Sequence, residues 1–280
     1  MKTRIITHKQ IQQFEMFLKN EERSRATIEK YIRDIKHFYA FAASKSIGKQ
    51  CVMEYKNTLR DSYTVTSANS MIAALNVFFR FSGWHDLCVK QFKVQRQVYC
   101  SEEKELTRAE YIRLLDAAKR KRNERLNLII QTICGTGIRV SELQYITVEA
   151  LQRGEAVVNC KGKNRRIFIV PELKKKLFRY VKAKKLASGA VFVTRSGNPV
   201  SRHNIWREMK ALCAEAGVAP GKVFPHNLRH LFARTFYSIE KDIAKLADIL
   251  GHASINTTRI YIVTTGAEHR RKMEHMRLII

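Results

Sequence analysis

The stretch LGHASINTTRIY, from Leu250 to Tyr261, organises the chain, because it ends one helix, turns and starts another. Gly251 stands where helices commonly end in a left-handed residue, and Ser254 can cap the helix that follows. His252 and Tyr261 therefore lie on neighbouring elements and can face one site. The same residues also fit a capped core tyrosine beside a surface histidine, and the rest of the chain has to decide between the two interpretations.

The composition indicates a polyanionic partner. Lys and Arg number 52 against 25 Asp and Glu, which gives a formal net charge of +27 over 280 residues. Folding does not need this excess, so it favours DNA or RNA first and an anionic membrane surface second. Six widely spaced cysteines without a C-x-x-C pair are typical of free thiols in a reducing cytosol and disfavour a zinc site.

The ends and the hydropathy of the chain predict where it acts. The N-terminus is too polar for a signal peptide, and no apolar run approaches the length of a membrane span. We therefore expect a soluble protein of the cytoplasm that has no membrane partner.

Residues 7–83 predict a compact bundle of four helices, since apolar side chains recur close to the helical period of 3.6. Its basic side chains are either a solvated face or a DNA contact: Lys30, Arg33, Lys36, Lys56 and Arg80. Residues 95–105 lose this periodicity and indicate a linker. Thr107 and Glu110 then form a capping box that opens a second domain. The predicted boundaries are 1–94, 95–105 and 106–280.

Two basic motifs mark the first half of the second domain. In GTGIRVSEL, residues 135–143, Arg139 lies at a glycine-flanked helix junction and is either available to an anion or paired with Glu142. Residues 157–170, VVNCKGKNRRIFIV, predict a hairpin with strands at 157–160 and 166–170 and a basic tip. That tip either inserts into a groove of DNA or adds charge to a sheet edge, through Lys161, Lys163, Arg165 and Arg166.

The second half continues with a short strand predicted at 190–194 and one helix predicted at 201–216. The motif PHNLRH, residues 225–230, then opens another helix. His226 and Arg229 are three residues apart and share a helix face, where the free backbone N–H groups of a helix start also favour an anion. This pair is suited to holding a phosphate.

These motifs, in this order and spacing, resemble the tyrosine recombinase (phage integrase) family and are nearest to its Xer-like members. The resemblance is carried by residues 135–143, residues 226–230, and Leu250-Gly251-His252 with Tyr261 nine residues further on. It covers nearly the whole chain. The bundle resembles the SAM-like core-binding domain, and residues 107–280 resemble the α+β catalytic domain. The implied fold is mainly α with a small antiparallel β-sheet or hairpin.

The resemblance implies a site-specific DNA recombinase that cleaves and rejoins strands through a 3′-phosphotyrosyl intermediate and a Holliday junction, without cofactor, metal or ATP. Tyr261 would be the nucleophile, and Arg139 and Arg229 would hold the phosphate oxygens. His226 would be the base, Lys161, in preference to Lys163, the general acid, and His252 a hydrogen-bond donor. Glu142 would orient the site, and Lys163, Arg165 and Arg166 would contact DNA.

The implied partners are a double-stranded recombination site, which both domains would contact, and three further copies of this chain in a tetramer. A second recombinase or an accessory protein is a further option. The tail from Ala267 to Ile280 would dock on its own core or on another subunit. The bundle begins near Thr7, which favours simple recombination sites over arm-type phage sites. Dimer resolution, inversion and mobile-element integration or excision remain open as roles.

Two other functions compete with this prediction. One is a type IB-like topoisomerase or telomere resolvase, which uses the same residues without exchanging strands between two sites. The other is an inactive accessory DNA-binding member. An inactive member would be expected to lack one of Arg139, Arg229 and Tyr261, and all three are present.

Overall fold

A computed structural model describes residues 4–42, 47–94, 104–160, 163–261 and 273–276, with Cys160 and Lys163 described by their backbones only. It divides into two compact units, Met1–Arg96 and Gln97–Ile280. Helices dominate, and the named strands form one two-stranded antiparallel sheet. The predicted class, mainly α with a small antiparallel hairpin, is confirmed. No described helix has the length and apolar character to cross a membrane.

The first unit is a bundle whose helices are α1 (His8–Asn20), α2 (Arg25–Ala42), α3 (Lys49–Ser62) and α4 (Val65–Phe81), followed by a 3-10 turn at His85–Leu87. Thr7 caps α1 by accepting from the Gln10 N–H at 3.2 Å. The core of the unit is aromatic, with fully buried phenyl rings from α1, α2 and α4. Phe14 and Phe78 meet edge to face with ring centres 5.2 Å apart, a favourable arrangement for aromatic pairs.

Two asparagines of α4 hold the extended chain that follows the bundle. Asn76 accepts from the Val89 N–H at 3.0 Å and donates to the Val89 carbonyl at 2.8 Å. Asn69 makes the same pair of bonds with Phe92, at 2.8 and 2.9 Å. The two asparagines are seven residues apart and thus lie on one face of α4. Their side-chain amides satisfy backbone N–H and C=O groups that a neighbouring strand would otherwise bond in a sheet.

The second unit consists of helices of 4 to 16 residues and one short hairpin. Its elements are α5 (Arg108–Arg120), α6 (Glu124–Thr136), a 3-10 turn at Val140–Tyr145, α7 (Val148–Arg153), β1 (Glu155–Cys160), β2 (Lys163–Phe168), α8 (Pro171–Ala183), α9 (Arg202–Lys210), α10 (Cys213–Ala216), a 3-10 turn at Pro220–Lys222, α11 (Pro225–Glu240), α12 (Ile243–Leu250) and α13 (Ile255–Arg259). The predicted capping box is present, since Thr107 and Glu110 each accept from the other's backbone N–H.

Helix α6 is the centre of this unit, because it packs against α5, α8, α9 and α11. Its apolar side chains are buried around most of the helix, which is typical of a central helix. It ends at Gly137, whose φ of 65° lies in the left-handed region. A Cβ on Gly137 would lie 2.5 Å from Cδ1 of Phe232, so only glycine fits between α6 and α11.

The hairpin differs in its bounds from the prediction. Strand β2 begins at Lys163, three residues before the predicted start, and ends at Phe168. The pairing runs from Glu155 with Phe168 to Cys160 with Lys163. Residues 163–165, assigned to the tip from sequence, therefore belong to the ladder. Only two residues separate β1 from β2, so the strand pairing begins directly with Cys160 and Lys163.

Two further elements differ from the prediction. Residues 190–194 do not form a strand; Ala190 and Val193 instead make isolated bridges to Thr147 and Pro199. The helix predicted over 201–216 is two helices, α9 and α10. Leu212 donates to the Met209 carbonyl three residues back, at 3.1 Å, and this tighter turn separates them.

Candidate active site

Arg229 lies at the centre of the site, on the second turn of α11, and only 1% of its surface is exposed. Its guanidinium donates to the Gly137 carbonyl at the end of α6 and to the Leu250 carbonyl at 2.6 Å. It also contacts Nε2 of His252 at 3.0 Å. Burial lowers the pKa of Arg229 to about 10, with the charge of Arg139 as the next cause, so the side chain remains a cation at neutral pH.

The C-terminal end of α12 gathers three arginines. A helix leaves its last carbonyls without helical donors, and here Ala247 and Asp248 accept the backbone N–H groups of the turn. The next three carbonyls each accept from a different guanidinium: Ile249 from Arg165 at 2.6 Å, Leu250 from Arg229 at 2.6 Å and Gly251 from Arg139 at 3.4 Å. The negative end of the helix thus concentrates positive charge around one turn.

Arg139 lies two residues after Gly137, directly before the 3-10 turn, and Glu142 fixes its position. Glu142 accepts the Arg139 backbone N–H and its Nη1, each at 2.9 Å, and is itself buried, with 3% of its surface exposed. Burial raises the pKa of this carboxyl, but the hydrogen bonds and the two neighbouring guanidinium charges outweigh it and lower the pKa below its usual range. Of the two interpretations of Arg139 from sequence, the structure contains the pairing with Glu142, and the contact with an anion stays a prediction.

Tyr261 lies among three imidazole rings. Its hydroxyl is 3.3 Å from Nε2 of His226, and its ring stacks on that of His230 with centres 4.2 Å apart. The His252 ring lies 5.1 Å away at a tilt. Tyr261 is only 6% exposed and packs in a small core with side chains of α11 and α12. The same residue also lies close to the arginines.

The two nitrogens of His252 have different partners, and these partners assign the tautomer. Arg229 can only donate, so Nε2 of His252 accepts and carries no proton. Nδ1 then carries the proton and donates to the Thr258 hydroxyl at 2.9 Å. In this arrangement His252 has no N–H directed to a phosphate, in contrast to the role predicted for it.

The three imidazoles are held neutral. Burial, followed by nearby positive charge, lowers the pKa of His230 to about 4 and that of His252 to about 4. The pKa of His226 is lowered in the same direction, by burial first and then by Arg229 and Arg139. A neutral His226 can accept a proton at physiological pH.

A pocket of about 600 Å³ opens in front of these residues. Arg139, His226 and Arg229 form one part of its lining, and Arg202, His203 and Trp206 of α9 form another. A phosphate group is far smaller than this volume, so the pocket has room for a phosphodiester with part of its chain. Within the described residues, no three His, Cys, Asp or Glu side chains are grouped so that they could hold a metal ion.

The structure brings together Arg139, Glu142, His226, Arg229, His252 and Tyr261. Lys161 lies outside the described residues, as does the side chain of Lys163. Arg166 is 70% exposed and lies 3.7 Å from Glu155, and the DNA contact expected of it stays a prediction. Arg165 does not fit the DNA contact predicted for it, because its side chain is only 11% exposed and bonds Glu142. Alternation along β2 directs it inward, since its neighbour Arg166 faces outward.

His230 is the residue that sequence reasoning left without a role. It follows Arg229 directly in the quoted motif, and one turn separates it from His226. The spacing of four between the two histidines was a usable signal, because residues at i and i+4 share a helix face. Their rings lie 4.9 Å apart, edge to face, on the side of α11 that meets Tyr261.

Residues 104–267 match the model of the phage integrase family, and residues 11–85 match that of its N-terminal SAM-like domain. The tyrosine recombinase XerA of Thermococcus kodakarensis is 31% identical over 279 residues, which cover 96% of this chain and 95% of that protein. A crystal structure of XerA recombinase is similar with a TM-score of 0.54 and 26% identity, covering 98% of this chain and 100% of its own.

A lambda integrase tetramer bound to a Holliday junction has the same fold. The TM-score is 0.74 and the identity 19%, over 91% of this chain and 76% of that one.

Proposed function

This chain belongs to the phage integrase family and is a DNA strand-exchange enzyme of the tyrosine recombinase class. From this premise we propose that Tyr261 is its nucleophile and that Arg139, His226 and Arg229 surround the scissile phosphate. The observation that carries this assignment is the 3.3 Å separation of the Tyr261 hydroxyl from Nε2 of a neutral His226. The Arg229 guanidinium lies 5.8 Å from the tyrosine ring centre. A phenol beside a base and fixed cations suits attack on a phosphodiester.

In the proposed step, the Tyr261 oxygen forms a bond to phosphorus while the bond from phosphorus to the 5′ oxygen breaks. The phenol proton passes to Nε2 of His226. The leaving 5′ oxygen takes a proton from Lys161, a donor assigned from sequence alone. The products are a 3′-phosphotyrosyl ester and a 5′-hydroxyl, and attack by the 5′-hydroxyl of another strand reverses the step. One phosphoester replaces another, so rejoining needs no external energy source.

The arginines have different freedom in this step. Arg229 is buried and bonded to two carbonyls, and within the described parts of the chain its Nε is buried without a hydrogen-bond partner. Arg139 is one-third exposed, and its Nη2 bond to Gly251 is long, at 3.4 Å. We assign both to the non-bridging oxygens, on which negative charge develops in the transition state. Arg139 exchanges a weak carbonyl bond for a phosphate oxygen.

His252 needs a change of partner to act as the predicted donor. If a phosphate oxygen draws the Arg229 guanidinium from Nε2, that nitrogen can take a proton from solvent, which the developing negative charge favours. The low pKa of about 4 then applies only to the site without DNA. His252 would donate from Nε2 in the transition state, where it is needed, rather than in the ground state.

Trapping the covalent intermediate tests the nucleophile. A library of nicked duplexes of random sequence is incubated with the protein, and adducts that survive denaturation are selected, which also yields a cleavable site. We expect adducts with the native protein and with Tyr145→Phe, a half-buried tyrosine of the same unit, and none with Tyr261→Phe. An adduct of Tyr261→Phe would disprove the assignment, and a native protein without adducts would contradict the proposed chemistry.

We further propose that four copies act on two paired DNA sites in the cytoplasm. The fold likeness to the lambda integrase tetramer and the formal net charge of +27 support this assembly. The tail from Ala267 to Ile280, which ends in apolar residues, lies mostly outside the described residues and is the proposed link between subunits. In the simplest version of this assembly, two identical sites pair without a second recombinase. An accessory protein would act on this tetramer.

Removing the tail separates cleavage from assembly. A chain ended after residue 266 keeps Tyr261 and should still cleave a single nicked site within about tenfold of the native rate. We expect it to exchange strands between two sites at least about a hundredfold more slowly. Equal loss of both reactions would contradict a linking role, and relaxation of supercoiled DNA without any exchange by the native protein would favour a topoisomerase.

A further inference from the structure

Arg165 differs from its neighbour in the strand, Arg166, by its burial. It lies in β2, paired with Val158, and its side chain is 11% exposed. The next residue, Arg166, is 70% exposed. Successive strand residues point to opposite faces of a sheet, so the two arginines of this dipeptide have different surroundings.

The guanidinium of Arg165 joins three elements of the second unit. Nη1 donates to the Ile249 carbonyl at the end of α12, at 2.6 Å, and Nη2 donates to Glu142 in the 3-10 turn. The aliphatic part covers the next turn, because a Cβ on Gly251 would lie 2.5 Å from Cδ of Arg165. Gly251 has a φ of 65°, so the left-handed turn and the covering side chain both require glycine.

Glu142 transmits these contacts to the proposed phosphate ligands. Its Oε1 accepts from the Arg139 guanidinium, and its Oε2 accepts from the Arg139 backbone and from Arg165. A buried carboxylate between two guanidiniums has one stable orientation. Without Arg165, the carboxylate would turn towards Arg139 alone and hold that guanidinium more tightly away from a phosphate.

We propose that Arg165 is a positioning residue, which fixes Glu142 and the Gly251 turn so that Arg139 and His252 meet the scissile phosphate, and that it does not contact DNA itself. This inference rests on the proposed function. The group of Arg165, Glu142, Ile249 and Gly251 is called the Arg165 clasp below.

The bonds already made by Arg165 argue against a DNA contact. Both terminal nitrogens have acceptors, and the remaining Nε is buried, without a hydrogen-bond partner among the residues described. A phosphate could reach the guanidinium only if the clasp opened. Arg166, in contrast, offers a mostly exposed guanidinium from the same strand and is the matched control.

The first experiment compares Arg165→Met with Arg166→Met on the site that adduct selection yields. For Arg165→Met we expect an adduct rate at saturating DNA about a hundredfold below native, with the dissociation constant within about threefold and an unchanged salt slope. Arg166→Met is the comparison for a residue that contacts DNA, and for it we expect a slope of log K against log salt smaller in magnitude by about 0.9, the value for one phosphate contact. A reduced slope for Arg165→Met would overturn the proposal.

The second experiment separates positioning from general loss of structure. A methylphosphonate at the scissile position removes the charged oxygen that Arg139 would hold. If Arg165 acts through Arg139, the loss caused by Arg165→Met should shrink on this substrate to less than about tenfold. Arg165→Lys keeps the charge but reaches only one acceptor, and we expect an intermediate rate on ordinary DNA. Equal losses on both substrates would indicate a merely structural residue.

A third measurement does not depend on catalysis. Hydrogen exchange of the DNA-free proteins reports on the His252 amide, which donates to the Ala247 carbonyl at 2.9 Å. We expect at least about tenfold faster exchange at residues 251–252 in Arg165→Met and native exchange in Arg166→Met. Unchanged exchange would refute the clasp even if the native protein formed adducts. If the native protein formed no adducts, the proposed function would be refuted, but this measurement would still test the clasp.

Discussion

At the scale of single residues, the chemistry of the site depends on which groups are charged. Arg139 and Arg229 are cations, and the three imidazoles near Tyr261 are neutral because burial and the arginines oppose a further positive charge. A site with many basic side chains thus keeps a proton acceptor. In the proposed step, the cations that would hold the phosphate also keep unprotonated the histidine that would act as the base.

The lowered pKa of His226 predicts the acid limb of the pH profile. A base works only while unprotonated, so a lowered pKa moves the loss of activity to lower pH. The single-turnover adduct rate should stay level from pH 8 to about 6.5 and fall only below the ordinary histidine pKa.

Matched variants identify the histidine responsible. His226→Gln should lower the plateau about a hundredfold and remove the limb, while His85→Gln, an exposed histidine of the first unit, should leave the profile unchanged. A limb centred above pH 7 in the native protein would contradict a neutral His226.

At the scale of elements, helix ends place the reactive side chains. The end of α6 supplies the Gly137 carbonyl, the start of α11 supplies His226 and Arg229, and the end of α12 supplies carbonyls for three arginines. Helix ends can do this because their backbone groups lack helical partners. The turns at Gly137 and Gly251 must therefore keep their conformation for the cations to converge.

Replacing Gly137 tests the fit of α6 against α11. An alanine in the left-handed region costs about 1 to 2 kcal/mol, and the clash with Phe232 adds about 1 to 3 kcal/mol. Gly217→Ala is the matched control, because its φ of 59° carries the same backbone cost and no atom lies within 4 Å of its Cβ.

Denaturant unfolding of the two variants provides the comparison. We expect Gly137→Ala to lose about 2 kcal/mol more unfolding free energy than Gly217→Ala. Equal losses would mean that Phe232 moves aside without cost.

At the scale of the whole molecule, the charge of +27 determines how the protein meets DNA. Basic side chains occur in both units, and each one that neutralises a phosphate adds about 0.9 to the magnitude of the salt slope. On the bundle, Arg33 is exposed and lines a surface pocket between α2 and α4, together with Lys30 and Ser67. This pocket is the strongest candidate for a DNA contact of the first unit.

The salt dependence of binding tests that contact. For Arg33→Gln we expect the magnitude of the slope to fall by about 0.9 and affinity to drop alike for all sequences. Arg25→Gln is the control on the same helix, because Arg25 already pairs with Glu29 at 2.8 Å. An unchanged slope for Arg33→Gln would exclude a phosphate contact at this position.

The sequence by itself determined the helical bundle, the capping box at Thr107 and the residues around Tyr261 other than His230, because helical periods, caps and motifs are local. It left two descriptions of Tyr261 open: the ring is buried, as a core tyrosine would be, and its hydroxyl faces His226, which is the contact that supports the proposed role. The family and the fold class predicted from these local patterns are confirmed. The roles of the individual residues stay predictions that the experiments above address.

Only the tertiary structure decided the direction of Arg165, the tautomer of His252 and the stacking of His230 on Tyr261. Each depends on segments that are distant in the chain. In addition, β2 begins at Lys163 and not at residue 166, so the ladder includes basic residues that the sequence had assigned to the tip. A shift of strand register by one residue reverses the face of every side chain, so the basic motif could not assign Arg165 and Arg166. The convergence of three arginines on one helix end arises from packing, which no local pattern records.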